Sequence, residues 1–345
     1  MGSVPAAMFG VTLAPGSEKC QRIVAGIIAA IRDGRIRRGE GLPTVESWCR
    51  ECGFAKETVI KAYAMLRERG VVVSVPRKGY FVATESVDHQ ANVMLLFDEL
   101  SPYKQVLYDH LVGSLGGHAQ VDVYFHHCTP AHFAAMLLDN LPHYDLAVVM
   151  PFAAPAVTQV LEQVDAAKVL ILDRRECAGD RFSFVGQEFE RSVAACLQSA
   201  ADLLVKYRRL VLLFPRPADV AIHSSQAPAE IVTGFRRFAR AASTPHTVLH
   251  GVDDLALRSG DAVLVIDDAD LVGVVEMART AGLRIGKDVG IVSYNDAPMK
   301  RVIDRGITVI STDFSAMGRR AAAFVRDRKP VDEVIPTTLI RRHSL

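Results

Sequence analysis

The chain has 345 residues, half of them hydrophobic, six cysteines and a formal net charge of +1. That length suits two or three domains with sizeable cores, and no apolar run approaches the roughly 18 residues of a membrane-spanning helix. The near-neutral total hides an asymmetry: residues 1–83 hold 13 Lys and Arg against 7 Asp and Glu, a balance of +6 that leaves −5 for the remainder. A basic amino-terminal segment on a mildly acidic body points to a polyanionic partner for the first part alone. The start has no basic stretch followed by an apolar one, so no signal peptide is expected. The sparse cysteines require no oxidising compartment, and the expected location is the cytoplasm.

Residues 1–19 read as a leader. From Cys20, "CQRIVAGIIAAIRDG" places Ile23, Ile27, Ala30 and Ile31 on one face of a helix that Gly34 can end. A loop, "RIRRGEGLPT", leads to a short helix over roughly 45–51, with Thr44 as its N-cap. In "AKETVIKAYAMLRERG", Val59, Ala62, Tyr63 and Leu66 recur at the spacing of a buried helical stripe, which leaves Lys56, Glu57, Thr58 and Lys61 near the start on other faces. "VVVSVPRKGYFVA" is two apolar runs joined by a turn with a glycine, a β-hairpin signal.

The order is therefore helix, short helix, turn, helix and two-stranded wing. A helix fits the major groove, where lysine, glutamate and threonine at its amino end can hydrogen-bond bases and phosphates. A wing tip beside it reaches the adjacent minor groove, where Arg77 and Lys78 would meet the negative potential and Gly79 would let the backbone come close. The bland alternative for that pair is a solvated turn. The candidate DNA-contacting set is Thr44, Lys56, Glu57, Thr58, Lys61, Arg77, Lys78, Gly79 and Tyr80. Cys49 and Cys52 form a single CxxC without a second Cys or His pair, so two helix-face cysteines are expected and no metal site.

Residues 20–83 resemble the GntR-type winged helix. The likeness is carried by "LPT" at 42–44, Thr58-Val59, Ala62-Tyr63, Leu66, Gly70 and "RKGYFV". Two positions depart from it. Glu46 stands where the family usually has an arginine that touches the DNA backbone, and Ala55 stands where it usually has a capping serine.

Residues 84–91 read as a polar linker. From Asn92 to the end, short apolar runs alternate with helical segments. "VMLLF", "VDVYF", "LAVVM" and "KVLIL" form one series of buried parallel strands, and "RLVLLF", "TVLHGV", "AVLVI" and "VGIVSY" a second. Two successive βα series imply two doubly wound α/β lobes facing across a cleft, with ligands beyond the carboxyl ends of the strands. The expected fold class is α/β: a winged helix-turn-helix followed by two doubly wound parallel-sheet lobes. Lobe 1 is expected over about 92–183 and 313–330, lobe 2 over about 185–310 and 335–345.

This part resembles the LacI/GalR effector domain, itself similar to the periplasmic sugar-binding proteins. The resemblance rests on "AVLVIDDADLVGVVEMARTAGLRIGKDVGIVSYNDAP", "GITVISTDFSAMGRRAAAF" and "IPTTLIRR". The two likenesses together match a GntR–LacI hybrid, the architecture of sugar-responsive repressors of the arabinose and fucose types. What the resemblance implies for ligand contact is the loop with Asp98, Glu99, Ser101 and Tyr103, then Asp173 and Arg174, the pairs Asp267-Asp268 and Asn295-Asp296, and Phe314. Carboxylates and amides at strand ends suit sugar hydroxyls, since each accepts more than one hydrogen bond. The bland alternative for each acid is an ordinary strand-end or capping residue. The family often has an arginine at the position of Ile231, so that mode of recognition is absent, and Arg174 is the candidate substitute.

The implied function is a DNA-binding repressor acting on double-stranded operator DNA as a homodimer, controlled by a monosaccharide, with no cofactor and no membrane partner. A purine effector is the alternative. An enzyme fused to a winged helix is the remote one: an aminotransferase-like fusion would need a longer chain and a pyridoxal-binding lysine, and no nucleophile elbow, P-loop or paired-histidine zinc motif is evident. His126 and His127 end a strand and read as cleft-lining or solvated, because a metal would need a third ligand.

Overall fold

The computed structural model describes residues 5–9, 19–68, 70–84, 91–117, 119–175, 177–215 and 227–345. The chain divides into two compact units, Met1–His89 and Gln90–Leu345. Most of the expected linker, 85–90, lies outside the described residues, and so do 1–4 and 10–18 of the expected leader.

In the first unit, helices α1 (Lys19–Arg32), α2 (Val45–Cys52) and α3 (Lys56–Glu68) are followed by strands β1 (Val72–Val75) and β2 (Gly79–Val82). The stripe Val59, Ala62, Tyr63 and Leu66 of α3 is fully buried, as its spacing requires, against Ile23, Ile27, Ala30 and Ile31 of α1 and Trp48 of α2. Thr44 caps α2 by accepting from the Ser47 amide at 3.1 Å, and Gly53 ends that helix at φ 71°. β1 and β2 pair antiparallel, with Val75 opposite Gly79 across the turn.

The leader is corrected in one respect. Ala6–Phe9 forms a 3-10 turn that belongs to this core. Phe9 is 4% exposed, with its ring 5.4 Å from Trp48, and the Ala6 amide donates to Glu51 Oε2 at 2.8 Å.

The second unit contains two six-stranded sheets. The first lobe runs β3 (Ala91–Phe97), α4 (Pro102–Leu115), β4 (Ala119–Phe125), α5 (Pro130–Asn140), β5 (Leu146–Val149), α6 (Pro155–Glu162), β6 (Val169–Asp173) and β7 (Ser183–Gly186). The second continues α7 (Glu190–Ser199), α8 (Ala201–Leu204), β8 (Arg209–Leu213), α9 (Glu230–Ala241), β9 (His246–Leu249), β10 (Asp261–Val265), α10 (Asp268–Thr280), β11 (Gly290–Tyr294) and β12 (Thr308–Thr312). The chain then returns to the first lobe as α11 (Phe314–Asp327) and β13 (Asp332–Val334), and ends in the second as β14 (Thr337–Ile340).

The strand orders are the same in both lobes: β4-β3-β5-β6-β7-β13 and β9-β8-β10-β11-β12-β14. Central strands buried on both faces explain the continuous apolar runs, as in Leu146–Val149 and the last four residues of β10, 262–265. Each lobe has a glycine where two helices press together. A Cβ at Gly234 of α9 would lie 2.3 Å from the Glu190 carbonyl oxygen, and one at Gly318 of α11 the same distance from that of Leu107.

Two expectations shift. The crossing expected near residue 184 falls after Gly186, because β7 pairs with β6 and β13 in the first sheet. The last strand, β14, runs antiparallel to β12, so the second sheet is parallel only up to that edge.

Candidate DNA-contacting face and ligand cleft

In the first unit, Lys56, Glu57 and Lys61 are exposed at the amino-terminal part of α3, and Thr58 is half-buried. At the wing tip Arg77, Lys78 and Gly79 are exposed. Arg77 holds a left-handed φ of 63° and Gly79 one of 105°, while the Lys78 amide donates to the Val75 carbonyl at 3.0 Å. A glycine would suit position 77 better, so the arginine there costs conformational energy that the turn itself does not require. Two members of the expected set have structural duties. The Thr44 hydroxyl is engaged locally, accepting from the Ser47 amide and donating to Ser47 Oγ at 3.3 Å. The Tyr80 ring packs on Tyr63 at 4.4 Å, and the Tyr63 hydroxyl donates to the Pro43 carbonyl and accepts from Trp48 Nε1 at 2.9 Å. Glu46 is exposed on the first turn of α2, where a carboxylate suits the helix dipole; its pKa is lowered by hydrogen bonding to backbone and to Thr44.

In the second unit, a cavity of about 190 Å³ opens beyond the carboxyl ends of both sheets. With a 2-1-3-4-5 strand order, the switch point lies between the first and third strands of each lobe, where successive connections leave to opposite faces. Those strands deliver Asp98 and Glu99 after β3, Met150 to Phe152 after β5, Pro215 after β8 and Ile266 to Asp268 after β10, all of them lining the cavity. The structure brings together Asp98, Glu99, Ser101, Tyr103, Asp173, Arg174, Asp267, Asp268, Asn295 and Asp296. Phe314 is not among the lining residues; it is buried at the start of α11 with its ring 4.6 Å from that of Tyr103. Ile231, on α9, is fully buried and lines the same cavity as Arg174.

Most of the acids already have cationic or amide partners. Asp98 pairs with Lys104, a residue 1% exposed, whose charge burial opposes but Tyr103 and Asp98 hold, so that its pKa stands above that of free lysine. Asp268 pairs with the equally buried Lys300 at 2.7 Å. Asp296 takes Arg342 in two bonds of 2.9 and 2.7 Å, which outweigh burial and keep its carboxyl below the usual range. Asp267 caps α10 by accepting from the Ala269 amide at 2.7 Å. Burial raises the pKa of Glu99 and of Asp173, opposed at Asp173 by the Gln187 amide at 2.5 Å. Six carboxylates therefore make a less negative cleft than their number suggests, because lysines and arginines stand behind the wall.

Two further features mark the cleft. Asp173 (φ 69°) and Asn295 (φ 58°) both take left-handed backbone at strand ends, a conformation that non-glycine residues adopt at some cost. The Tyr294 hydroxyl and Asn295 Oδ1 are buried without a hydrogen-bond partner, which in native proteins calls for an explanation such as a bound ligand.

Sequence reasoning missed Lys300, Gln187 and the apolar wall of Met150, Phe152 and Phe189. His126 is neither cleft-lining nor solvated: it is fully buried, its Nε2 donating to the Met150 carbonyl at 2.9 Å and its Nδ1 accepting from the Cys128 amide at 3.1 Å. His127 is exposed. Among the described residues no group of three or more His, Cys, Asp or Glu is placed to hold a metal, and no helix is long and apolar enough to cross a membrane.

The two folds define a class, a winged-helix DNA-binding unit joined to a two-lobed ligand-binding unit. Residues 19–82 match the bacterial regulatory proteins of the gntR family, and residues 205–345 match the periplasmic binding protein-like domain. The chain carries both domains. It is 24% identical over 185 residues to the HTH-type transcriptional repressor MelR of Bacillus subtilis (strain 168), covering 47% of this chain and 53% of that protein. With the HTH-type transcriptional regulator KdgR of the same organism it shares 25% over 129 residues, 36% of this chain and 38% of that one. The match thus spans about half or less of these relatives' length. Solved structures with the same fold include the trehalose repressor of Escherichia coli (TM-score 0.59, 15% identity, 73% of this chain and all of that one). A LacI family regulator of Lactobacillus casei with bound sucrose is similar to the same degree (TM-score 0.59, 16% identity, 74% and 99%).

Proposed function

We propose that this protein is a ligand-controlled transcription regulator. It binds operator DNA through α3 and the wing as a homodimer, and releases it when a small neutral sugar occupies the cleft. The observation that carries the reading is the cleft itself: strand-end amides and carboxylates from two facing sheets converge on one cavity, with two buried oxygens, Tyr294 OH and Asn295 Oδ1, left for a ligand to satisfy. The wing-tip cations and the basic balance of residues 1–83 supply the complementary DNA side.

The pairing of the acids favours a neutral polyol. Lys104 and Lys300 spend their charge on Asp98 and Asp268, so neither is offered to a phosphate, while hydroxyl groups can donate to the carboxylates' remaining lone pairs. The sucrose held by the Lactobacillus casei regulator and the name of the Escherichia coli one support a sugar. A purine stays as the second reading, because Tyr103, Phe152, Phe189 and Tyr294 make the cavity wall more aromatic than the chain's 7%. The family matched by residues 19–82 consists of bacterial regulatory proteins, and the domain matched by residues 205–345 is a binding domain.

The test is titration of sucrose, trehalose, a monosaccharide panel and nucleobases into operator-bound protein. Differential affinity for two states must weaken operator and ligand binding by the same factor, typically about 5–150-fold. A sugar that binds tightly and leaves operator affinity unchanged removes the switch. Sedimentation of a monomer at micromolar concentration, with and without DNA, removes the dimer.

A further inference from the structure

The two lobes are joined by three chain crossings, after β7, after β12 and after β13, and one polar residue from each lies in a single hydrogen-bonded chain. Gln187 follows β7, Thr312 ends β12 and Thr337 begins β14, the last two being register partners. Gln187 Nε2 donates to Asp173 Oδ1 at 2.5 Å, Thr312 Oγ1 donates to Gln187 Oε1 at 2.6 Å, and Thr337 Oγ1 lies 2.6 Å from Thr312 Oγ1. Thr312 has one hydroxyl proton and gives it to an amide oxygen that cannot donate, so Thr337 must donate to Thr312. All three protons point toward Asp173, a cleft-lining carboxylate. The same crossing reaches the other lobe: the Asp296 amide donates to Ser311 Oγ at 2.9 Å, and Ser311 Oγ donates to the Thr312 carbonyl at 3.1 Å.

We propose that Gln187 is a positioning residue that ties Asp173 to all three hinge crossings, so that a group engaging Asp173 acts on the hinge through one hydrogen-bonded relay. This rests on the cleft being the ligand site. Gln187 and Thr312 are buried, so a broken link leaves donors and acceptors without water to replace the missing partner. Each link orients the next, which makes the relay cooperative. Its direction is set at the carboxylate, which only accepts. The two threonines can each donate or accept, so the whole chain can reverse if the residue at 173 offers a donor and the Gln187 amide turns over.

The reversal gives the relay a signature that packing alone lacks. Asp173→Asn keeps a hydrogen-bonding group and permits either direction; Asp173→Leu strands the Gln187 amide. Hydrogen exchange on the full chain, without effector or operator, reads the crossings through the amides of Gln187, which donates to the Asp173 carbonyl, and Ile335, which donates to the Gly186 carbonyl. The β5 amides serve as the control for global unfolding. Gln187→Met and Asp173→Leu are expected to speed exchange at both crossing amides by about tenfold, the size of one buried hydrogen bond, while Asp173→Asn stays near wild type. Thr337→Val should speed exchange at Gln187, two links away, and Thr337→Ser should not. Faster exchange confined to the neighbourhood of each substitution, or Asp173→Asn behaving as Asp173→Leu, overturns the relay. Where Gln187→Met also loosens β5, the Thr337 pair decides. A failure of DNA or sugar binding would leave this result unaffected, since neither is present.

Discussion

Lys300 and Asp268 form an ion pair inside the cleft wall, 2.7 Å from nitrogen to oxygen, in which the lysine is 2% exposed and the aspartate 37%. The ammonium also donates to the carbonyls of Tyr294 and Asn295, both at 2.8 Å, so its three protons are all placed. Burial pulls the Lys300 pKa down and Asp268 opposes the pull. The lysine therefore anchors the strand end that carries Asn295 and its left-handed backbone.

Lys300→Met removes the ammonium and leaves two carbonyls and a carboxylate behind. A fully buried pair broken on one side costs about 3–5 kcal/mol. Asp268 is partly hydrated, which discounts the loss to about 1–3 kcal/mol. Urea unfolding measures it, and Lys300→Met with Asp268→Asn should recover part of the deficit. No loss in the single variant would show that the pair is dispensable.

The wing tip separates stability from binding. Arg77→Gly relieves the left-handed backbone and should leave the fold as stable as wild type or slightly more so, by up to about 1 kcal/mol. Operator affinity should nevertheless fall, with the salt slope reduced by about one for each tip cation removed, in Lys78→Ala as well. Lys56→Ala or Thr58→Ala should instead change preference among operator sequences, by about 1–3 kcal/mol for each hydrogen bond to a base edge that the variant can no longer make. Salt-dependent binding titrations check both, and unchanged affinity in the tip variants returns Arg77-Lys78 to a solvated turn.

Phe9 gives a test of the amino-terminal turn. Its ring lies against Trp48, the chain's one tryptophan, so tryptophan fluorescence reports on the winged-helix unit and on no other part of the chain. Phe9→Ala should lower stability by about 3 kcal/mol, as buried Phe→Ala changes do, with a shifted urea midpoint for the fluorescence transition. An unchanged midpoint would place Ala6–Phe9 outside the cooperative unit.

The two lobes and their cleft were legible in the two βα series with buried strands, while Asp98, Asp173, Asp267 and Asn295 were picked out at the strand ends by the family resemblance. What holds those acids was not legible. Lys300 is 32 positions from Asp268 and Arg342 is 46 from Asp296, and no local period links such pairs. Gln187 was hidden for a related reason: β7 is four residues long, too short for a periodic signal, so neither the strand nor the residue after it stood out. Phe314 was placed by the same resemblance, but it stands behind the lining residue Tyr103, on which its ring packs, and does not line the cavity itself. "AAMF" carries no helical period, yet Ala6 and Phe9 are buried in the core, with the Phe9 ring against Trp48.

Asp173 gives the pH prediction. Burial raises its pKa above the 3.8 of an unperturbed aspartate, with Gln187, Lys104 and Arg174 opposing. A carboxyl with a raised folded pKa binds its proton more tightly folded than unfolded, so ionisation disfavours the fold. The penalty is complete above the folded pKa, shrinks as pH falls through it, and is gone below 3.8, where both states are protonated. Asp173→Asn removes the titration while keeping the shape. It should therefore be more stable than wild type at pH 7, and the two stability curves should converge on acidification toward pH 4. The opposite behaviour, a variant that loses ground at pH 7 and gains it in acid, would mean that the Gln187 bond outweighs burial. Urea unfolding of both proteins between pH 7 and pH 4 gives the sign directly. A stability gain on removing a cleft carboxylate is what a binding residue shows when its charge is kept for a ligand at the expense of the fold.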